Sequence, residues 1–191
     1  MRIGVTGGIG SGKSFICKII EKIGYPVYYS DEESKKIVDF NKEIKEQLTT
    51  LFGAEVYQDN KLNRIFLTQK LFDSTKIRDK VNAIIHPAVR AQFDVWTKQQ
   101  STKLVFNESA ILFETGSYTQ FDKIILVTAP IGLRIERTMK RSNLTKEDVG
   151  RRMSAQWLDD HKISLSDYII VNDGQPLLNQ LEKILASLEV E

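Results

Sequence analysis

Residues 7–14 read Gly7-Gly8-Ile9-Gly10-Ser11-Gly12-Lys13-Ser14. They fit G-x-x-x-x-G-K-[ST] at every fixed position, the pattern of a loop that wraps backbone N–H groups around a phosphate. Glycines let the backbone turn so that successive amides point one way. A helix starting near Lys13 adds the positive end of its dipole. In that arrangement Lys13 reaches the β- and γ-phosphates of a nucleoside triphosphate, and the Ser14 hydroxyl is a ligand for Mg²⁺. A random chain of this length matches the pattern about 1 % of the time, and here it also lies between a strand pattern and a helix pattern. The dinucleotide fingerprint G-x-G-x-x-G is excluded, because Lys13 stands where its third glycine belongs.

The periodicity on either side supplies the fold. Ile3-Gly4-Val5 predicts a short buried strand. Phe15, Ile16, Ile19, Ile20 and Ile23 recur at helical spacing up to the stop at Gly24. Further strands are predicted at Pro26–Tyr29, Leu104–Asn107, Ile124–Thr128 and Tyr168–Val171. Helices are predicted over Ile131–Met153 and Pro176–Leu188. Strands alternating with helices imply an α/β fold, a P-loop kinase fold with a five-stranded parallel sheet flanked by helices. Residues 31–98 are mostly helical and strongly charged, with Ala54–Tyr57 the best strand signal. This stretch exceeds an ordinary crossover and reads as a helical acceptor-binding insert. The core is then 1–30 and 99–191.

The chain has 191 residues, 41 % hydrophobic and 27 % charged, with a formal net charge of +2. That balance gives no footprint for a nucleic-acid or membrane partner. Cys17 is the single cysteine, so no internal disulfide forms. It reads as a small buried residue on the first helix, and Trp96 and Trp157 as packing residues. No apolar run reaches the roughly 20 residues of a membrane span. The opening strand is too short for a signal segment. The reading is a cytoplasmic enzyme, a monomer or weak homo-oligomer, acting on a small molecule.

Phosphoryl transfer to a hydroxyl needs a carboxylate to take its proton. Asp31 follows the second strand, where ligand crevices of doubly wound sheets open. It equally suits a helix N-cap, with Glu32 and Glu33 in the first turn. Glu108 follows the third strand, either binding Mg²⁺ through water or simply solvated. Between 134 and 152 stand Arg134, Arg137, Lys140, Arg141, Lys146, Arg151 and Arg152 against Glu136, Glu147 and Asp148, a local balance of +4. Arginines there either close over phosphates or form a solvated face. Thr145-Lys146-Glu147-Asp148 imitates the guanine-reading [NT]-K-x-D, yet no D-x-x-G switch accompanies it.

Together these motifs resemble the dephospho-coenzyme A kinase family along nearly the whole chain. Thr6–Ser14 resembles the family's opening T-G-G-I-G-S-G-K-S. Ser30-Asp31 falls on its D-A-D, Asn63-Arg64 on D-R, and His86-Pro87 with Val89 on H-P-x-V. Ile111-Leu112-Phe113-Glu114 resembles L-L-F-E, and Arg137 with Arg141 the paired arginines that open the lid. Ala155-Gln156 and Asn172 match its A-Q and late N. The chain departs at Tyr29, Lys35, Phe15, Ala110 and Asn63. The resemblance implies transfer of the γ-phosphoryl of ATP to the ribose 3′-hydroxyl of dephospho-coenzyme A, with a lid at about 137–156. It implies catalytic roles for Lys13, Asp31, Arg137 and Arg141. ATP would meet Gly8, Ile9, Gly10, Ser11, Gly12, Lys13, Ser14 and Phe15. The acceptor would meet Asp31, Arg64, His86, Arg90 and Glu114, and Mg²⁺ would meet Ser14 and Glu108. The other readings are a different P-loop nucleoside or metabolite kinase, and a P-loop ATPase.

Overall fold

The computed structural model describes residues 1–72 and 74–190. The spans 31–98 and 99–191 read from the sequence contain positions 73 and 191, which lie outside the described residues. The chain divides into two compact units, Met1–Tyr29 with Gln100–Glu191, and Ser30–Gln99.

The first unit opens with β1 (Arg2–Thr6), the glycine loop, α1 (Lys13–Ile23) and β2 (Val27–Tyr29). In the second unit lie α2 (Ser30–Phe40), α3 (Lys42–Phe52), β3 (Tyr57–Gln58), β4 (Lys61–Leu62), α4 (Arg64–Phe72) and α5 (Thr75–Lys98). The first unit resumes with β5 (Val105–Glu108), β6 (Lys123–Thr128), α6 (Ile131–Ser142), α7 (Lys146–Ser154), α8 (Asp159–Ile163), β7 (Tyr168–Val171) and α9 (Leu177–Val190).

Its sheet is parallel throughout, in the order β2-β5-β1-β6-β7. The expected five-stranded parallel sheet is therefore present, with β1 at its centre. Alternation along each strand sends Ile3, Val5, Ile125 and Val127 into one core with Ile16, Cys17 and Ile20 of α1 and Leu181, Leu185 and Leu188 of α9. The other face packs Ile124 against Leu112 and Phe113. Gly4 points there too, where an added Cβ would lie 2.6 Å from Ile124 Cδ1. Burial on both faces explains why these strands read as unbroken apolar runs. An isoleucine truncated to alanine in such a core costs about 2–5 kcal/mol.

The second unit has its own core of Ile37, Val38, Ile44, Leu48, Val56, Leu67 and Val81. Asn41 caps α3 by accepting the Ile44 N–H at 3.1 Å. Pro87 sits inside α5 and removes one backbone donor there.

Three local expectations are corrected. Ala54–Val56 is a 3₁₀ turn, and the strand signal resolves into a two-residue strand paired antiparallel with β4. Asp59 and Asn60, at φ 50° and 62°, make the tight reversal between them. The arginine-rich helix is broken in two. Asn143 takes the left-handed conformation and ends α6, and Thr145 then caps α7 in a reciprocal box with Asp148. The Thr145–Asp148 imitation of a guanine motif is thus a helix start. Asp31 lies within the first turn of α2, which begins one residue earlier, so it is not the N-cap.

Candidate active site

All the strands of the sheet deliver their C-terminal ends to one edge, and the sequence places chemistry there. The glycine loop follows β1, Tyr29 ends β2, Glu108 ends β5, Thr128 ends β6 and Asn172 follows β7.

Gly10 and Gly12 hold φ of 78° and 103°, conformations that favour glycine. Gly12 is the N-cap of α1 and offers no side-chain cap. The leading amides of any α-helix lie ahead of its first internal carbonyl and point out of its N-terminal end. An uncapped helix start facing a glycine bend is where an anion binds. Lys13 is buried; its Nζ donates to Gly8 O at 3.4 Å and stands 3.9 Å from Glu108 Oε1. The alternative of a solvated Glu108 is overturned, since this carboxylate is 7 % exposed. Ser11 Oγ is buried and makes no hydrogen bond among the described residues, while Ser14 and Phe15 are exposed.

Behind the loop sits a set of braces. The Ile9 peptide is held from both sides. Its N–H donates to Gln156 Oε1 at 2.8 Å, and its carbonyl accepts from Arg134 Nε at 3.0 Å. Gln156 Nε2 in turn donates to Ala110 O. The Ser11 carbonyl accepts from Asn172 Nδ2 at 2.9 Å. Asn172 then accepts from Arg137 through its backbone and side-chain oxygens, at 3.2 and 3.3 Å. The Ile9 N–H is therefore committed to Gln156 in this structure, against its expected place among the phosphate-binding donors.

Tyr29 pairs in register with Glu108 and donates its hydroxyl to Glu21 Oε2 at 2.8 Å. Burial first, and the bond to Glu21 second, hold its phenol far above the ordinary range. Burial raises the Cys17 thiol, assisted by Glu108 and Glu21 and opposed by Lys13. Cys17 is a neutral core residue, as expected.

Glu114 has a structural duty in this unit. Its Oε1 lies 2.7 Å from Nζ of the fully buried Lys162 and accepts the Trp157 N–H at 2.9 Å. Trp157 is 44 % exposed, against the expectation of a packing residue. Trp96 stacks on Phe93. Arg137 is half-buried and Arg141 exposed on α6. In the second unit Asp31 is exposed on α2. Arg64 grips Asp39 at 3.0 and 3.3 Å, and Asp39 also accepts the Leu62 N–H. Burial would raise the Asp39 carboxyl, but these bonds outweigh it and hold it below the usual value. His86 and Arg90 share one face of α5 at i,i+4 spacing. Burial, then the Arg90 charge, lowers the His86 pKa and keeps the ring neutral at pH 7. Among the described residues no three His, Cys, Asp or Glu side chains cluster to hold a metal.

Arg134 stands in the sequence reading only as one of a run of arginines, Asp159 and Lys162 do not figure in it, and Gln156 and Asn172 carry no role there. Arg134 had one available signal, its i,i+3 spacing to Arg137 on the same helix face. Asp159 and Lys162 had none.

A parallel sheet with a glycine loop and lysine at the end of its central strand defines a P-loop nucleotide-binding protein. Comparison with known proteins narrows the class. The dephospho-CoA kinase family model matches residues 1–177. A dephospho-CoA kinase of Bacteroides fragilis is 41 % identical over 190 residues, covering 98 % of this chain and 93 % of that one. Its counterpart in Porphyromonas gingivalis is 40 % identical over 154 residues, 81 % and 76 % of the two chains. Among solved structures, a Thermus thermophilus protein matches at TM-score 0.86 and 31 % identity, covering 100 % of this chain and 96 % of that one. The dephospho-CoA kinase of Campylobacter jejuni matches at 0.69 and 25 %, covering 98 % and 96 %. A shikimate kinase of Acinetobacter baumannii, at 0.56 and 15 % over 99 % and 93 %, shares the fold. The chain belongs to the dephospho-CoA kinase family, and it is a kinase that transfers phosphate to an alcohol. Among the described residues no helix is long and apolar enough to cross a membrane.

Proposed function

We propose that this chain moves the γ-phosphoryl of ATP onto the ribose 3′-hydroxyl of dephospho-coenzyme A, the last step of coenzyme A synthesis, with the following division of labour. Gly8, Gly10, Ser11, Gly12, Lys13, Ser14 and Phe15 surround the triphosphate. Loop and first-turn amides bind its oxygens, and Lys13 bridges the β- and γ-phosphates. Ser14 and Glu108 are the residues that would hold Mg²⁺, whose chemistry is neutralising charge across those phosphates. So small a protein donor set fits this ion, which keeps waters and phosphate oxygens as its other ligands.

Asp31 accepts the proton of the acceptor hydroxyl. Arg137 and Arg141 lie on a lid of about residues 137–156 and stabilise the charge spread over the transferring group. The Ser30–Gln99 unit binds the acceptor through Arg64, His86 and Arg90. Glu114 supports the site by pairing with Lys162 rather than touching substrate. The protein works in the cytoplasm, as a monomer or weak homo-oligomer, with no nucleic-acid or membrane partner.

The observation that carries this reading is the uncapped start of α1 beside the buried Lys13–Glu108 pair, at the end of the central strand. Incubating the protein with ATP, Mg²⁺ and a panel of hydroxyl acceptors tests it. A new phosphomonoester on dephospho-coenzyme A, with matching ADP, is expected. Phosphorylation of a nucleoside or sugar instead, or acceptor-independent ATP hydrolysis alone, would replace the reading.

A further inference from the structure

Arg134 lies at the centre of the braces behind the loop. It is 6 % exposed, on the inner face of α6. Its Nε donates to the Ile9 carbonyl at 3.0 Å. Its Nη1 lies 3.1 Å from Asp159 Oδ2, and the same oxygen accepts the Thr128 hydroxyl at 2.6 Å. The plane of the guanidinium covers Gly8. A Cβ built on Gly8 would fall inside it, and the three nearest atoms to that Cβ all belong to Arg134. The Arg134 carbonyl is the nearest atom to a Cβ on Gly10 and accepts from Thr138 Oγ1 at 2.7 Å. One residue thus touches the glycine loop at three successive positions. Asp159, through Thr128, ties that residue to the end of β6.

We propose that Arg134 is a positioning residue for nucleotide binding. It clamps the Ile9 peptide and the Gly8 backbone so that the Gly10–Ser14 amides hold a phosphate-shaped curve, and Asp159 holds its guanidinium in that plane. Arg134 does not touch substrate. The planar fork matters because two directed bonds leave from adjacent nitrogens while the flat face packs on Gly8. A lysine in its place keeps a charge for Asp159 but cannot also reach Ile9 in that geometry. The inference rests on the loop binding ATP phosphates, and it predicts an effect on the nucleotide side alone.

The test is steady-state kinetics of Arg134→Lys, with the KM for ATP and for dephospho-coenzyme A measured separately and folding checked by thermal melting. Losing one bond from a charged donor corresponds to about tenfold or more in affinity. We expect the KM for ATP to rise at least about tenfold by that measure, while the KM for the acceptor stays within about twofold. Asp159→Ala, which releases the guanidinium from outside the glycine loop, should reproduce that split, and it decides the matter if Arg134→Lys does not fold. Two results would overturn the proposal. One is an unchanged KM for ATP in a folded Arg134→Lys. The other is an equal rise in both KM values, the mark of a merely structural role. If the unaltered protein forms no coenzyme A at all, the functional reading fails first, and binding of ATP measured by calorimetry still reads the Arg134 effect.

Discussion

Helix α1 has a glycine in nearly the same conformation at each end. Gly12 starts it at φ 103°, ψ 15°, and Gly24 ends it at φ 116°, ψ 7°. Replacing either with alanine imposes the left-handed strain of a Cβ, about 1–2 kcal/mol, offset by about 0.4–1 kcal/mol from the stiffer unfolded chain. Their surroundings differ. A Cβ on Gly24 meets nothing within 4 Å, whereas one on Gly12 lands on the Asn172 amide. That amide donates to the Ser11 carbonyl, so Gly12→Ala also costs that hydrogen bond, roughly a further 1 kcal/mol. Gly24→Ala should therefore lower stability by about 1 kcal/mol, and Gly12→Ala by about 2 kcal/mol. In a chain of this size each kcal/mol is about 2–4 °C of melting temperature. Function should separate them further. Asn172 also anchors Arg137, so Gly12→Ala disturbs both the Ser11 backbone and an arginine of the proposed lid. We expect its KM for ATP to rise about tenfold, and Gly24→Ala to leave it unchanged, as losing one charge-assisted bond implies. Differential scanning fluorimetry with ATP-dependent kinetics reads both quantities. Equal melting losses and equal KM values in the two variants would refute the reasoning that Asn172, not backbone strain, decides the matter.

Other substitutions give separate readouts. Lys13→Ala should cut kcat by about 10²–10³, the scale for one positioned electrostatic donor, and near-normal turnover would remove Lys13 from the chemistry. Asp31→Asn should lower kcat while sparing ATP binding by calorimetry; a matching loss of ATP affinity would make Asp31 a nucleotide or metal group instead. Glu114→Leu leaves the fully buried Lys162 without its carboxylate, which costs about 3–5 kcal/mol in urea unfolding by the rule for broken buried pairs. A loss below 1 kcal/mol there would mean that Lys162 finds another partner or water. His86 has a folded pKa below its ordinary 6.5, so its neutral form favours the fold. Its share of stability is present above pH 6.5 and is lost as pH falls through the lower folded value. The melting temperature of His86→Gln should therefore fall less than that of the unaltered protein between pH 7 and 5.

The central strands β1, β5 and β6 were legible because they are buried on both faces. Ile124–Thr128 is apolar without alternation, and a five-residue run of that kind flanked by turns is a parallel strand. The errors fell where short-range chemistry overrode periodicity. Ile131–Met153 is rich in helix formers on both sides of its middle, but Asn143 and the Thr145–Asp148 box divide it. Ala54–Tyr57 has strand composition, yet the reversal at Asp59-Asn60 leaves room for only two paired residues on each side. Asp31 has the residue type of a cap, but Ser30 already belongs to the helix, and propensity cannot resolve one position at a boundary.

The site divides along a different line. A loop that turns its amides toward a ligand must turn carbonyls the other way, and every buried carbonyl needs a donor. The eight-residue signature states the first half of that requirement and is silent on the second. Ile9 and Ser11 receive their donors from Arg134 and Asn172, 125 and 161 positions away, and the Ile9 amide goes to Gln156, 147 positions away. The sheet order, which sets β6 beside β1 and β7 beside β6 with all three ending at one edge, creates those pairings. No periodicity or spacing along the chain encodes them. The groups meant to face ATP were therefore readable from one line of sequence. The groups that keep those in place depend on the topology, so substituting them should disturb nucleotide binding without altering any residue of the motif.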